Sequence, residues 1–473
     1  MAQPRIKLYP PHFDRLISDS KADQIASNPK SVASHAFMPF LQRNDHWTKY
    51  KEKGKKPDEK TREIRYACRL DSYIFAYYRN LLNRHYELEL ERLKLGSCVT
   101  AYRKIATDSG KGGKCNIHFA KEAFDHIKAF GDCTAFALDI KQFFENLDHE
   151  YLKRMWWRLL GKPNQRNRNH LLPDDHFAVF KAVTSYSHIS MEEAYKTLGY
   201  IGEIKMQNGK TRIGYLVKRK DFPKQICSGK QFREKLASKA KQHREPFGIP
   251  QGSPISDLLA NSYLLDFDSE MQSFISSVGG VYRRYSDDIL VILPGLSTDW
   301  QKMVQEVKDV LHANAPNLQL KEEKTQVYSY AQNGNSQDNK KLTASKGPDG
   351  LEYLGFRYDD KRIVLRNSTV SGIQRKITLL AKRMARRHLE ESPGAPLLQL
   401  INSFNYSLLI SKFGRVKDFD SLGKNYAKWT FWTYVKRSTA IMGIPGKNIA
   451  RQMSDYRRFA RNRAEGAIRK LYK

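Results

Sequence analysis

At 473 residues the chain has room for two to four packed units of about 100–200 residues each. Lys plus Arg number 82 against 50 Asp plus Glu, and the resulting +32 excludes an acidic or charge-balanced surface and points to a polyanionic partner. Hydrophobic content of 40%, with 11% aromatics, excludes a basic disordered tail.

The opening MAQPRIKLYPPHF has no apolar signal core, and no run approaches the roughly 18–20 apolar residues of a membrane span. Secretion and membrane insertion are therefore not expected. Cys68, Cys98, Cys115, Cys133 and Cys227 are never closer than 17 positions, which excludes a CxxC zinc site and a dense disulfide framework. Reduced thiols and a cytoplasmic location are the expectation.

Residues 1–60 mix Pro, Lys and Ser, and the polar run from Lys49 to Lys60 predicts an exposed loop. From Arg62 onward, Tyr73, Phe75, Tyr77, Leu81 and Leu82 recur at helical spacing, which predicts a long amphipathic helix. The short apolar run CTAFALDI, Cys133 to Ile140, predicts a buried strand. Residues 149–245 hold helical stretches and a hairpin, IGEIKMQNGKTRIGYLV, turning at Asn208-Gly209. A Gly/Pro-rich turn at 248–254 feeds an apolar helix, and VYRRYSDDILVIL reads as strand, tight turn, strand. Gln332 to Gly350 predicts a polar exposed loop, and Tyr353 to Leu365 returns to short strands. The tail from 371 to 473 carries 22 Lys/Arg against 6 Asp/Glu, half the net charge, and predicts a helical domain that touches a phosphate backbone.

Three carboxylates stand where apolar strand residues belong. Asp139 ends FALDI, and Asp287 with Asp288 interrupts the second strand pair. Burying such charge costs several kcal/mol unless a partner neutralises it. With no Lys or Arg embedded in either apolar run, a divalent metal is the natural neutraliser, and oxygen-only ligands favour Mg²⁺. Two ions about 3.5–4 Å apart could activate an attacking hydroxyl and stabilise a departing pyrophosphate. Taken alone, an Asp pair is an ordinary turn, and the 147 residues between Asp139 and Asp287 make any shared site a tertiary one.

The ordered series ALDIKQFFENLDHEYL, GIPQGSPISDLLANSYL, RRYSDDILVIL, LKEEKTQVY and LEYLGFRY resembles the palm motifs of reverse transcriptases. The resemblance covers roughly 60–365 and implies an α+β, right-hand polymerase architecture. Residues 1–60 would be an N-terminal extension, 61–132 fingers, 133–365 palm with an interleaved fingers segment at about 155–245, and 366–473 a basic helical thumb. It implies two Mg²⁺ ions at Asp139, Asp287 and Asp288, with Ile140 beside Asp139 among the metal-binding positions. Phe144 would pack under the incoming sugar and select deoxynucleotides, Gln251 and Gly252 would line the nucleotide pocket, and Tyr285 would pack beneath the primer end or nucleotide. Lys324 would stand near the leaving pyrophosphate as general acid. Arg103 and Lys104 would pair with the triphosphate. Read without the resemblance, Phe144 is equally a core residue beside Phe143, Lys324 a surface lysine, and His149 a structural cap.

The sequence holds no recognisable integrase, protease or RNase H segment and no Cys/His cluster after the thumb position. The expected Arg65 to Tyr78 helix and AYRK resemble bacterial retron-like and defence-associated reverse transcriptases, most of all the unknown-group, abortive-infection type. That resemblance implies an RNA-directed DNA polymerase making cDNA from dNTPs, on a cognate non-coding RNA template, in antiphage defence. An RNA-dependent RNA polymerase and a maturase-like RNA-binding protein are the competing readings, and a homo-oligomer is left open.

Overall fold

The structure, a computed structural model, describes residues 11–49, 58–110, 112–161, 171–205, 209, 211–218, 221–315, 317–334, 336–344, 349–359, 361–414 and 430–472. It divides into two compact units: Met1–Tyr102, Ile140–Gln272 and Gln305–Gln319 form one, and Arg103–Asp139, Ser273–Val304 and Leu320–Lys473 the other.

In the first unit the long helix spans Arg69–Arg92, because Arg62–Tyr66 belong to a strand rather than to the helix expected from Arg62. Its buried spine is Ile74, Tyr78, Leu82, Tyr86 and Leu90, a strict four-residue repeat, while Tyr77 and Leu81 are only half-buried. The helix begins where Asp14 accepts the N–H groups of Arg69 (2.7 Å) and Leu70 (3.2 Å), capping donors that have no partner within the helix. The strand Asp58–Tyr66 pairs antiparallel with Phe40–Lys49. The loop expected over Lys49–Lys60 is thus shortened at both ends by strand, and residues 50–57 lie outside the described residues. Ser187–Ser190 and Lys241–Gln242 complete this four-stranded sheet, in which Phe40–Lys49 and Ser187–Ser190 run parallel. The expected hairpin forms from Ile201–Lys205 and Thr211–Tyr215, paired only with each other. Asn208 of its turn lies outside the described residues.

The second unit is built on a five-stranded antiparallel sheet in the order Ser336–Lys341, Gln326–Asn333, Cys133–Asp139, Asp288–Pro294, Val281–Tyr285. Every residue of the central strand Cys133–Asp139 is buried. Ile117, Ala120, Phe124 and Ile127 of the helix Asn116–Phe130 share a core with Cys133, Ala135, Leu290, Ile292, Tyr328 and Tyr330 of this sheet. Part of Gln332–Gly350 is strand and not the loop its polarity suggests, since Gln326–Asn333 and Ser336–Lys341 form a hairpin; residues 335 and 345–348 lie outside the described residues. The hairpin's outer strand, SQDNKK, is an edge whose charges discourage further pairing. Three short strands, Leu351–Tyr353, Phe356–Tyr358 and Ile363–Leu365, lead into the helical tail. There Asn367–Glu391 buries Ile373, Ile377, Ala381 and Ala385, and Tyr456–Leu471 buries Ala460, Ala464 and Ile468. Alanine at these positions lets the two helices approach closely. Among the described residues no two cysteines form a disulfide. Among the described residues no helix is long and apolar enough to cross a membrane.

Candidate functional site

The antiparallel register of Cys133–Asp139 with Asp288–Pro294 places Asp139 directly opposite Asp288. Cα atoms in such a pair lie about 4.5–5.5 Å apart. Tyr285 is opposite Asp288 in the next pair, so Ser286 and Asp287 are the two central residues of a tight hairpin. Ser286 takes φ +60°, a left-handed conformation that a side chain with a Cβ adopts at a cost of roughly 1–2 kcal/mol. Arg284, with no exposed surface, donates from Nη1 to the Ser286 carbonyl at 3.0 Å and helps hold that turn. The reading that no Lys or Arg is embedded in either apolar run is corrected here: in a strand, two adjacent arginines point to opposite faces, and Arg284 is the one that faces inward.

Lys324 brings a second cation, from outside the two apolar runs. Its Nζ donates to Asp139 Oδ2 at 2.5 Å, and Lys321 Nζ lies 3.9 Å from Oδ1. The short turn Glu322–Lys324 is fixed to the strand end by main-chain bonds from Lys321 N to Asp139 O (2.8 Å) and from Lys324 N to Lys321 O (3.0 Å). Three carboxylates still outnumber the one ammonium in hydrogen-bond contact. Burial, then Asp287, then Asp139 push the Asp288 carboxyl up to about 7, against the weaker pull of Lys324 and Arg366. Burial and then Asp139 also raise Asp287.

An oxygen-only group with surplus negative charge, Asp139 buried and Asp287 and Asp288 half-buried, fits a hard divalent cation. Asp139, Asp287 and Asp288 could hold it, and Ile140, whose side chain is apolar and buried, could contribute only its carbonyl. Among the described residues, the only three potential ligand atoms from His, Cys, Asp or Glu that all lie within 4.8 Å of one another belong to His12, Asp14 and Cys68. That trio does not fit a metal. His12 Nδ1 already accepts from Phe13 N and contacts Cys68 Sγ at 2.9 Å, while Asp14 holds the Arg69 guanidinium and the helix N-terminus. Burial lowers His12 to about 4 and raises the Cys68 thiol, which keeps both neutral. It is a clasp between the N-terminal segment and the long helix.

Phe144, Gln251 and Gly252 belong to the first unit, whereas the three aspartates, Lys324, Arg103, Lys104 and Tyr285 belong to the second. Phe143 is buried and Phe144 half-exposed, so Phe144 is less enclosed than the core position weighed for it beside Phe143. Main-chain bonds from Ile249 N to Phe144 O (2.9 Å) and from Gly248 N to Leu147 O (2.8 Å) zip the Phe144 segment to the Gly/Pro-rich turn. The Gln251 carbonyl accepts from Arg65 N at 2.8 Å. Gly252 has φ +106°, and a Cβ there would sit 2.8 Å from the Arg65 carbonyl oxygen, so the turn requires glycine. Tyr285 packs 6.1 Å from the Phe119 ring. Arg103 is half-buried and Lys104 exposed in the segment before the helix Asn116–Phe130. His149 bonds the Gly248 carbonyl at 2.7 Å, but the helix cap is Asp148, which accepts from Tyr151 N at 2.8 Å. Sequence reasoning misses Lys321 and Arg284. The alternation of RR could have found Arg284; nothing local could have found Lys321.

Residues 204–358 match the sequence profile of the family described as reverse transcriptase (RNA-dependent DNA polymerase). The chain thus carries a reverse transcriptase domain, and its fold is the α+β fold of such polymerases. The matched segment includes Asp287, Asp288, Gln251, Gly252, Tyr285 and Lys324, and Asp139 and Phe144 precede it. No curated protein matches the chain. Solved structures similar to it include the telomerase of Candida albicans in complex with a fragment of telomeric RNA (TM-score 0.37, 11% identity, 96% of this chain and 66% of that one). Two others are apo telomerase of Candida tropicalis (0.35, 13%, 96% and 68%) and its form truncated from the C-terminal domain (0.34, 10%, 72% and 58%). The chain spans 58–68% of the length of these relatives.

Proposed function

We propose that the chain is an RNA-directed DNA polymerase that extends a nucleic-acid or protein hydroxyl with dNTPs on an RNA template. The observation that carries this reading is the register that sets Asp139 against Asp288 beside the strained Ser286-Asp287 turn. Two Mg²⁺ ions held by Asp139, Asp287 and Asp288, when bound, would supply charge neutralisation for the attacking hydroxyl and the departing pyrophosphate. Lys324, already hydrogen-bonded at this centre, is the proton donor to the leaving pyrophosphate. Phe144, the open member of its pair, excludes the ribose 2′-hydroxyl. Gln251 and Gly252 shape the nucleotide pocket, Tyr285 supports the primer end, and Arg103 and Lys104 bind the triphosphate. The charge of the helical tail suits it to grip the template–product duplex.

The defence role belongs to the same proposal. Its support is the resemblance to unknown-group bacterial enzymes, which implies a cognate non-coding RNA as template and a cytoplasmic setting. Primer extension by the purified protein on an RNA template, with dNTPs or NTPs and Mg²⁺, tests the polymerase reading. The reading requires dNTP incorporation that disappears in the double change of Asp287 and Asp288 to Ala. Exclusive use of NTPs, or synthesis that survives the double change, overturns it. Sequencing nucleic acid that copurifies from cells identifies the template, and a template that varies at random from cell to cell overturns the cognate-RNA part.

A further inference from the structure

The hairpin Ile201–Lys205 and Thr211–Tyr215 stands outside the three larger sheets. A two-stranded ribbon of this length is marginal in water by itself. Its base is secured: Leu216 N donates to Tyr200 O at 2.9 Å, and the Tyr215 ring lies 6.3 Å from Tyr195 and 6.1 Å from Phe222. Even so, large apolar side chains remain exposed at the base and along the strand that leads to it. Ile213 is 62% exposed, Tyr215 54% and Leu216 53%, three large apolar side chains within four residues. Ile213 and Tyr215 lie on one face of the ribbon and Leu216 on the Gly202 side, so both faces carry exposed apolar side chains.

Charge identifies the occupant. Between 201 and 220 there are six Lys/Arg and one acid, Glu203. Lys205, Arg212 and Lys218 are exposed and form no ion pair among the described residues. The alternation of the strands puts Lys205, Glu203, Ile213 and Tyr215 on one face and Arg212 on the other, so each face of the ribbon carries a cation, and along the chain Tyr215 falls between Arg212 and Lys218. An aromatic platform between unpaired cations suits an unpaired nucleotide strand, in which bases stack on the ring and phosphates meet the cations. A-form duplex fits poorly, because its major groove is too narrow for a ribbon.

We infer that this hairpin binds single-stranded RNA, with Tyr215 stacking a base and Lys205, Arg212 and Lys218 contacting phosphates, at a surface belonging to the unit that does not contain the three aspartates. The identity of the polyanion rests on the polymerase reading, and its location on the hairpin alone.

The test uses the full chain and a labelled single-stranded oligouridylate, titrated by fluorescence anisotropy at several salt concentrations. For single strands each phosphate contact contributes a log–log salt slope of about 0.7, or roughly five-fold in affinity at ~0.1 M salt. The double variant Arg212→Gln, Lys218→Gln should reduce the slope by about 1.4 and weaken binding about 25-fold. Tyr215→Ser should weaken binding at least about five-fold with the slope unchanged. Wild-type affinity and slope in both variants overturn the proposal, as does an unchanged RNA affinity accompanied by loss of a copurifying protein. Extension of a short preannealed RNA–DNA duplex separates the two readings and controls for folding. A wild-type chain that binds RNA through the hairpin but does not synthesise DNA sinks the polymerase reading alone. A chain that synthesises DNA but binds RNA independently of the hairpin sinks this proposal alone.

Discussion

Replacing Asp288 with Asn should stabilise the protein in alkaline, metal-free buffer while abolishing synthesis. Burial and the neighbouring Asp287 and Asp139 raise Asp288 from the ordinary 3.8 to about 7. Every tenfold gain in proton affinity is worth about 1.4 kcal/mol, so the ionised carboxylate costs the fold up to about 4 kcal/mol. For an acid raised in the folded state the unfolded chain holds fewer protons in this window. Stability therefore falls as pH rises. The penalty is absent below about pH 4, where both states are protonated, and complete above about pH 7, where both are ionised. Asparagine never pays it. The amide has its own burial cost, but that cost does not change with pH, so the difference in stability between variant and wild type isolates the charge. With about 2.1 cal/mol/K per residue over 473 residues, 4 kcal/mol corresponds to about 4 °C in a cooperative melt. Melting temperatures of both proteins in EDTA across about pH 4 to 8 are the assay. The variant's advantage should grow by up to about 4 °C over that range, and Mg²⁺ should raise the wild type at about pH 8 more than the variant. A difference that stays flat with pH, or a variant that loses ground as pH rises, refutes the reasoning.

Phe144→Ala should admit ribonucleotides, and competition between dNTP and NTP in primer extension reads this directly; an unchanged preference removes Phe144 from the gate. Gly252→Ala should destabilise the first unit by about 1–3 kcal/mol, because its Cβ would meet the Arg65 carbonyl at 2.8 Å and φ is +106°. Gly110→Ala, which also has positive φ but nothing within 4 Å, should cost less, and denaturant melts compare the two. Lys324→Met should slow synthesis roughly 10²-fold through loss of the proton donor. It should also lower the melting temperature in EDTA at about pH 8, because Asp139 loses its hydrogen-bonded ammonium; synthesis at the wild-type rate excludes the proton-donor role.

The elements most easily read from sequence are those governed by short-range rules. CTAFALDI is a strand because seven consecutive residues are buried, and VYRRYSDDILVIL is a hairpin because the polar Ser286-Asp287 pair separates two runs rich in aromatic and β-branched residues. The edge strand Ser336–Lys341 is hidden because an edge needs polar residues and so looks like a loop. The helix starts at Arg69 rather than Arg62 because Arg62–Tyr66 pair with Phe40–Lys49, a contact that local periodicity does not encode. At the site, the three aspartates are visible as charges out of place. Their immediate partners are not. Lys324, 185 positions from Asp139 in sequence, and its neighbour Lys321 reach that carboxylate only through the turn that follows Gln319. Arg284 is used inward to hold a strained turn that composition cannot reveal.

Iron-mediated backbone cleavage tests the centre itself. Fe²⁺ in place of Mg²⁺, with peroxide, cuts the chain next to wherever the cation binds. Fragments should end near Asp139 and near Asp287-Asp288 together, diminish with excess Mg²⁺, and vanish in the variant Asp139→Asn, Asp288→Asn. Cleavage confined to the His12–Cys68 clasp, or at only one of the two strand ends, would contradict a shared cation site.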